Sequence, residues 1–539
     1  MSVKLFDYVV IGSGCSGAMA AQTLVEAGVN VTMIDVGKQD TTYAPLIPDK
    51  HFTDIRRTES EQYRYLIGDE LEGVGWGGVG KGEQITPARR HIMQATEEYL
   101  RIISDTFSPL ESLGYGGLGI GWGLQCWQYS PADLRAAGLP VGAMTKAYET
   151  VSSRIGISGS KDDAAQYTLG KLKTFQPSPV MDENHERIYA KYARRRAYFN
   201  ARGFFLGRTP LALITEDFQS RKAYAYNEMD FYSDKDRSAW RPWITVDQLR
   251  QHKNFTYLDG HLVTKFAEHK NYTEIHCLTV PDNKLVIFHC RKLVLASGSL
   301  GSARIVLRSF DNSDKKLPLL CNPYTYIPCL QPAMLGKAMG DKKLGFAQLS
   351  LFLDEAKNNF GLSVASLYDY HSLMLFRIVK QAPLNFADAR IVMRYLMPAL
   401  EIMGVHHPDN LSSDKYVRLV ADNTTPTGDH LQAAYSLSAD DQATYSQRER
   451  KFIGAMRRMG TYALKRINPG YGASIHYAGS LQFGKQQQAY SLAPNGQLHG
   501  TRSVFVADSS GFNYLPARGL TFTIMANAHL TAKEALRNV

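Results

Sequence analysis

Three glycines near the N-terminus constrain this 539-residue chain more than any other feature. Gly12, Gly14 and Gly17 stand in a Gly-x-Gly-x-x-Gly spacing, with Cys15 and Ser16 inside it. An apolar run at 6–11 leads into them, and a small-residue run at 18–27 with helical periodicity follows. Gly28 ends that run, and a second apolar run at 29–34 closes on Asp35. The pattern predicts strand, tight turn, helix and strand. Gly12 permits the turn, Gly14 lets the backbone meet a diphosphate, and Gly17 allows helix to pack on strand. The helix N-terminus favours phosphate charge, and Asp35 can accept a ribose hydroxyl. A lone glycine pattern would be weak evidence. In this setting it predicts a dinucleotide-binding unit, without separating FAD from NAD.

Length and a 44% hydrophobic content allow two or three domains. No apolar run is long enough to span a membrane, and the chain enters a strand with no secretory leader, so a cytoplasmic protein is expected. The six cysteines form no CxxC pair and no Cys/His group at zinc spacing, so free thiols are expected and no metal ligands are assigned. The net charge of +10 is spread along the chain, densest at Arg194-Arg195-Arg196. That cluster reads as a solvated helix face, or as steering for an anionic small molecule. No interleaved basic and aromatic face suggests nucleic-acid binding.

Two further glycine-rich stretches, 73–80 and 114–123, predict loops where backbone approaches a ligand closely. Strands are expected at 255–258, 262–266 (with Val263) and 285–288. A buried strand at 292–297 precedes Gly298 and a helix.

Several segments together resemble the glucose-methanol-choline (GMC) oxidoreductases. The run Gly116-Gly117-Leu118-Gly119-Ile120-Gly121-Trp122-Gly123, trailed by Pro131-Ala132-Asp133, resembles the family's second glycine loop, which lies against the flavin. The segments 294–302, 503–510 and 516–526 resemble its later cofactor motifs, with Ser297, Gly298, Asp508, Thr521 and Thr523 at the matching places. The resemblance implies FAD and a Rossmann-like α/β domain built from 1–139, 251–310 and 466–539. A mixed-sheet substrate domain would come from 140–250 and 311–465.

The segment His476-Tyr477-Ala478-Gly479 resembles the family's histidine motif, whose imidazole faces flavin N5 and the substrate hydroxyl. A neutral imidazole there takes the hydroxyl proton while the flavin takes the hydride. Two departures stand out. Gly519 holds the place of the family's second Asn or His; Thr521, Asn513 and Arg518 are the available substitutes, each also readable as structural. Gly121 holds the place of a histidine that binds flavin covalently in some relatives, so non-covalent FAD is expected. The adjacent His406 and His407 point to opposite faces of an extended segment and receive no role. The leading expectation is FAD-dependent oxidation of a hydroxyl on a polar, sugar-like or anionic small molecule. The flavin's reoxidant stays open between O2 and a quinone-like carrier. A flavin-bearing lyase and a non-catalytic flavin module are the alternatives.

Overall fold

The computed structural model describes residues 4–71, 87–226, 235–311, 314–338, 344–369, 383–484, 486 and 488–537. The glycine-rich stretch 73–80 lies outside them.

The N-terminal apolar run forms the strand Leu5–Ile11, in the middle of a seven-stranded sheet. It pairs in parallel with Val31–Ile34 on one side and with the end of Leu285–Leu295 on the other. Phe255–Leu258 and Val504–Val506 extend the parallel part, while Thr273–Thr279 and His261–Glu268 add antiparallel strands. Val9, Val10, Met33 and Leu293 to Leu295 are fully buried, as strands covered on both faces require. Helix Cys15–Glu26 packs against the sheet and against the C-terminal helix Thr521–Arg537, which in turn meets Val141–Ile155.

A second, six-stranded sheet runs in the order Tyr462–Ala463, Tyr324–Leu330, Leu400–His406, Ser363–Asp369, Leu349–Leu353, Phe204–Arg208, all pairs antiparallel. The period-two alternation of these strands decides what each face does. Leu206, Ile327, Leu349, Leu351, Leu367, Met403 and Val405 share a core with residues of the helices Glu183–Arg194, Arg196–Ala201 and Ala439–Arg458. The other face carries Phe352 and Val364, packed on Trp127, Tyr167 and Ala517. It also carries the small residues Ser350, Ser366 and Gly404, and the ring of His406.

The fold is thus the expected α/β arrangement of a Rossmann-like sheet with a second, sheet-based layer. The segments do not divide between the two cores at residues 140, 250 and 311, however. Met144, Tyr148, Leu213, Trp240, Leu317, Val417 and Tyr435 all lie in the core of the first sheet. Helix Val141–Ile155 belongs there because its apolar stripe has the C-terminal helix to cover. No helix among the described residues is long and apolar enough to cross a membrane, and all six cysteines are free.

Candidate functional site

The glycine turn has the features a diphosphate needs. Gly12 adopts φ +96°, and a Cβ there would meet the Ala296 carbonyl at 2.9 Å. A Cβ on Gly17 would lie 1.8 Å from the Gly12 oxygen, so helix and turn can touch only through glycine. Gly14 differs: its Cβ would enter open space, with only the Gly116 oxygen at 4.0 Å. Gly14 is also the N-cap of Cys15–Glu26; it offers no side-chain cap, and the first turn carries no acid. An open backbone surface at an uncapped helix start is an anion site. Ser16 is buried and bonds the Ala296 carbonyl, and burial pushes the Cys15 thiol up to about 12, leaving it uncharged.

Ser13, which the glycine spacing alone did not single out, ties this turn to both neighbouring elements. Its hydroxyl donates to Asp35 and accepts the Gly116 N–H at 2.8 Å. Tyr257, one strand over, donates to the same Asp35 oxygen at 3.1 Å. Burial pushes Asp35 up to about 6, and the Ser13 and Tyr257 hydrogen bonds limit the rise. The second glycine loop folds onto the first. Gly116 sits at φ +104°, Gly117 approaches Gly14, and a Cβ on Gly119 would strike Pro242 and the Cys15 sulfur. Trp122 donates its indole N–H to the Trp240 carbonyl at 3.1 Å.

Beyond the sheet, Gly298 (φ +77°) also faces open space, and the buried Ser297 hydroxyl beside it has no hydrogen-bond partner among the described residues. An orphaned buried hydroxyl next to the glycine turn fits a bound dinucleotide. Asp508 is buried and accepts from Ser302 at 2.6 Å and from the Ser510 N–H at 2.9 Å, so it anchors the helix Gly298–Ser309. Val263 is a buried strand residue at a bulge. Thr521 begins the C-terminal helix. Thr523 turns inward instead, its hydroxyl 2.7 Å from the Tyr148 hydroxyl, where it joins two helices.

His476 sits where four chain segments meet. The short strands Leu320–Cys321 and Tyr477–Ala478 pair with Cys321 opposite Tyr477, which brings Asn322 opposite His476. His476 Nδ1 lies 3.0 Å from Asn322 Oδ1. The Asn322 amide nitrogen donates to the carbonyls of His407 and Pro516, at 2.8 and 3.0 Å. The ring of His406 stacks on His476, centroids 5.3 Å apart, and on Tyr324 from the neighbouring strand. Both imidazoles are only partly buried. Desolvation lowers His476 to about 4 and holds His406 well below the usual range, the latter also through the His476 charge.

The structure changes the sequence reading at His406 and gives Arg518 and Asn513 structural partners. His406, left without a role, lies against the candidate base, whereas His407 bonds Ser363 and stacks on Tyr445. Of the substitutes for the missing partner, Arg518 is fully buried in an ion pair with Asp133 and donates to the Tyr167 carbonyl. Asn513 donates to the Phe483 carbonyl. Gly519 lies against Trp127. Asn322 carries no sequence signal and His406 no visible link to His476, because both are far from it in sequence and only strand register brings them together.

The glycine turns form a cradle suited to a dinucleotide. The comparisons agree. Residues 403–528 match the family model described as GMC oxidoreductase. Pyridoxine 4-oxidase from Mesorbium loti has a similar structure, with a TM-score of 0.60 at 14% identity over 98% of each chain. An FAD-dependent oxidoreductase from Chaetomium thermophilum, solved in complex with a fragment, matches with a TM-score of 0.57 at 13% identity over 99% of each chain. No curated protein matches in sequence. The resemblance to the glucose-methanol-choline oxidoreductases is borne out, and FAD is the cofactor it implies.

Proposed function

We propose that the chain oxidises a hydroxyl group on a polar small molecule, with His476 as base and non-covalently bound FAD. Bound FAD supplies the acceptor for the hydride. Gly12, Gly14, Gly17 and the Gly116–Gly119 loop would hold its diphosphate region, and Asp35 a ribose hydroxyl. Ser297, Gly298, Val263, Asp508, Thr521 and Trp122 would line or support the rest. Gly121 provides no side chain for a covalent link.

The observation that carries the reading is the Asn322 network. The Asn322 NH2 is committed to two carbonyls, so its Oδ1 accepts, and His476 must carry its proton on Nδ1. That leaves Nε2 with a free lone pair. The low basicity of the desolvated ring keeps it neutral near pH 7, ready to take a substrate proton. His406 adds a second imidazole at the same place, which compensates for the side chain lacking at Gly519. The floor of the second sheet is small and polar: Ser366 accepts from the Gln125 amide at 3.0 Å, and Ser350 lies 2.7 Å from the Thr209 hydroxyl.

The test is anaerobic mixing of the flavin-loaded protein with an alcohol panel that includes sugars, sugar phosphates and pyridoxine, the last because it is named for one structural neighbour. Bleaching of the flavin absorbance by at least one alcohol is expected. No bleaching, with intact flavin, would reject the proposal, and product formed without bleaching would favour a lyase. Release of the flavin on denaturation is expected; retention would refute non-covalent binding.

A further inference from the structure

A second cluster of chemically active side chains lies at the other end of the six-stranded sheet. Asp182 caps the helix Glu183–Arg194: one carboxylate oxygen accepts the His185 N–H at 3.0 Å and lies 2.8 Å from His185 Nδ1. Asp369, the last residue of the strand Ser363–Asp369, brings an oxygen to 3.7 Å from the same Nδ1. One ligand atom from each of the three residues lies within 4.8 Å of the others. Glu401 pairs with Asp369 in register on the next strand, and its carboxylate is 3.7 Å from His185 Nε2. Glu401 is 0% exposed, and among the described residues neither its oxygens nor His185 Nε2 has a hydrogen-bond partner. Neither Asp182 nor Glu401 has a described lysine or arginine within ion-pairing distance.

His185 is the one described ionic partner that Asp182 and Glu401 share, and a single imidazolium cannot balance several carboxylates gathered around it, a costly arrangement for buried groups. We propose that Asp182, His185 and Asp369 bind a divalent first-row metal ion, Zn2+ or Mn2+, through His185 Nδ1 and one oxygen of each aspartate. Bonds of about 2.0–2.1 Å in a four-coordinate site put ligand atoms about 3.3 Å apart; the observed 2.8 and 3.7 Å straddle that spacing. One imidazole with two carboxylates suits such ions better than Ca2+ or Mg2+, which take oxygen ligands alone. With the metal on Nδ1, the His185 Nε2–H has Glu401 to donate to, the outer carboxylate that orients many metal-bound histidines. Closing the 3.7 Å gap would then satisfy His185 Nε2 and one of the two Glu401 oxygens. The ion would join the start of the helix Glu183–Arg194 to two strands of the sheet. Its distance from His406, five residues along the strand from Glu401, is roughly 16 Å by strand rise, so its role is structural.

Metal analysis of the full-length, flavin-loaded protein purified without chelator should find about one Zn or Mn ion per chain. The His476→Ala variant should retain it, and Asp369→Asn and His185→Gln should lose it. Because those variants disturb a buried cluster, the wild-type protein gives the deciding measurement. After stripping by a chelator it should melt at lower temperature and recover when Zn2+ or Mn2+ alone is added, with one-site binding by calorimetry. Metal-free native protein that shows neither binding heat nor a melting shift would overturn the proposal. So would nitrogen NMR showing His185 protonated on both ring nitrogens in the presence of either metal.

Discussion

His476 Nδ1 lies 3.0 Å from Asn322 Oδ1, and both amide hydrogens of Asn322 are directed at carbonyls. Flipping the amide would set oxygen against two oxygens, so the arrangement fixes the tautomer of the histidine as well as its orientation. Asn322→Ala should slow flavin bleaching by roughly 10–100-fold, the usual cost of losing the group that orients a working histidine, with flavin content unchanged. His476→Ala should cost more, about 100–10,000-fold. Equal loss of flavin in Asn322→Ala would mean that the residue only supports the fold.

The same pair sets the pH dependence. Burial holds His476 near 4, so the bleaching rate should rise with pH and level off well below the 6.5 of a free imidazole. Asn322→Asp places a carboxylate against Nδ1–H and stabilises the charged ring. Its inflection should move upward. A rate profile indifferent to this substitution would show that the proton goes elsewhere.

Asp35 gives a prediction with two signs. Burial raises it to about 6, above its value of about 3.9 in the unfolded chain. The folded apoprotein therefore binds this proton more tightly than the unfolded chain does. The Asp35 contribution to apoprotein stability is present below the unfolded value and is lost as pH rises through about 6. A carboxylate that accepts a ribose hydroxyl works only when ionised, so FAD affinity should fall as pH drops through about 6. Wild type and Asp35→Asn, compared by melting and by flavin titration, should show opposite pH trends in the two measurements. Asp35→Asn should lose both.

How much of this was legible in the sequence follows from how local each feature is. The turn at Gly12, Gly14 and Gly17 is encoded within one strand and one helix, and its periodicities of two and 3.6 are visible in a short window. His476 became visible through a motif. Asn322, His406 and Ser13 did not, because their roles depend on pairings that join residues across the chain, such as Cys321 with Tyr477. The polar residues near Gly519 in sequence, Asn513 and Arg518, are committed to structural partners. The imidazole that stacks on His476 comes from the strand Leu400–His406 instead, whose outward face is set by the packing of Met403 and Val405 beneath it.

The buried ion pair of Arg518 and Asp133 ties the segment before the C-terminal helix to the capping box of the helix Pro131–Ala136. Both side chains are 0% exposed, so removing one strands the other. Arg518→Met should cost about 3–5 kcal/mol of stability, read as a lower midpoint in urea. If Arg518 were a substrate ligand instead, the variant would keep its midpoint and lose only bleaching.

Gly14 and Gly17 separate binding from folding within a single turn. A methyl on Gly17 would fall 1.8 Å from the Gly12 oxygen, a contact between two backbones that nothing flexible can relieve. Gly17→Ala should therefore reduce soluble yield and lower the melting temperature even without flavin. A methyl on Gly14 has room in the apoprotein and occupies the space where a diphosphate would approach. Gly14→Ala should melt as the wild-type apoprotein does and bind FAD at least about tenfold more weakly, the equivalent of about 1.4 kcal/mol. Flavin binding undiminished in Gly14→Ala would place the diphosphate away from this turn, whatever the fate of Gly17→Ala.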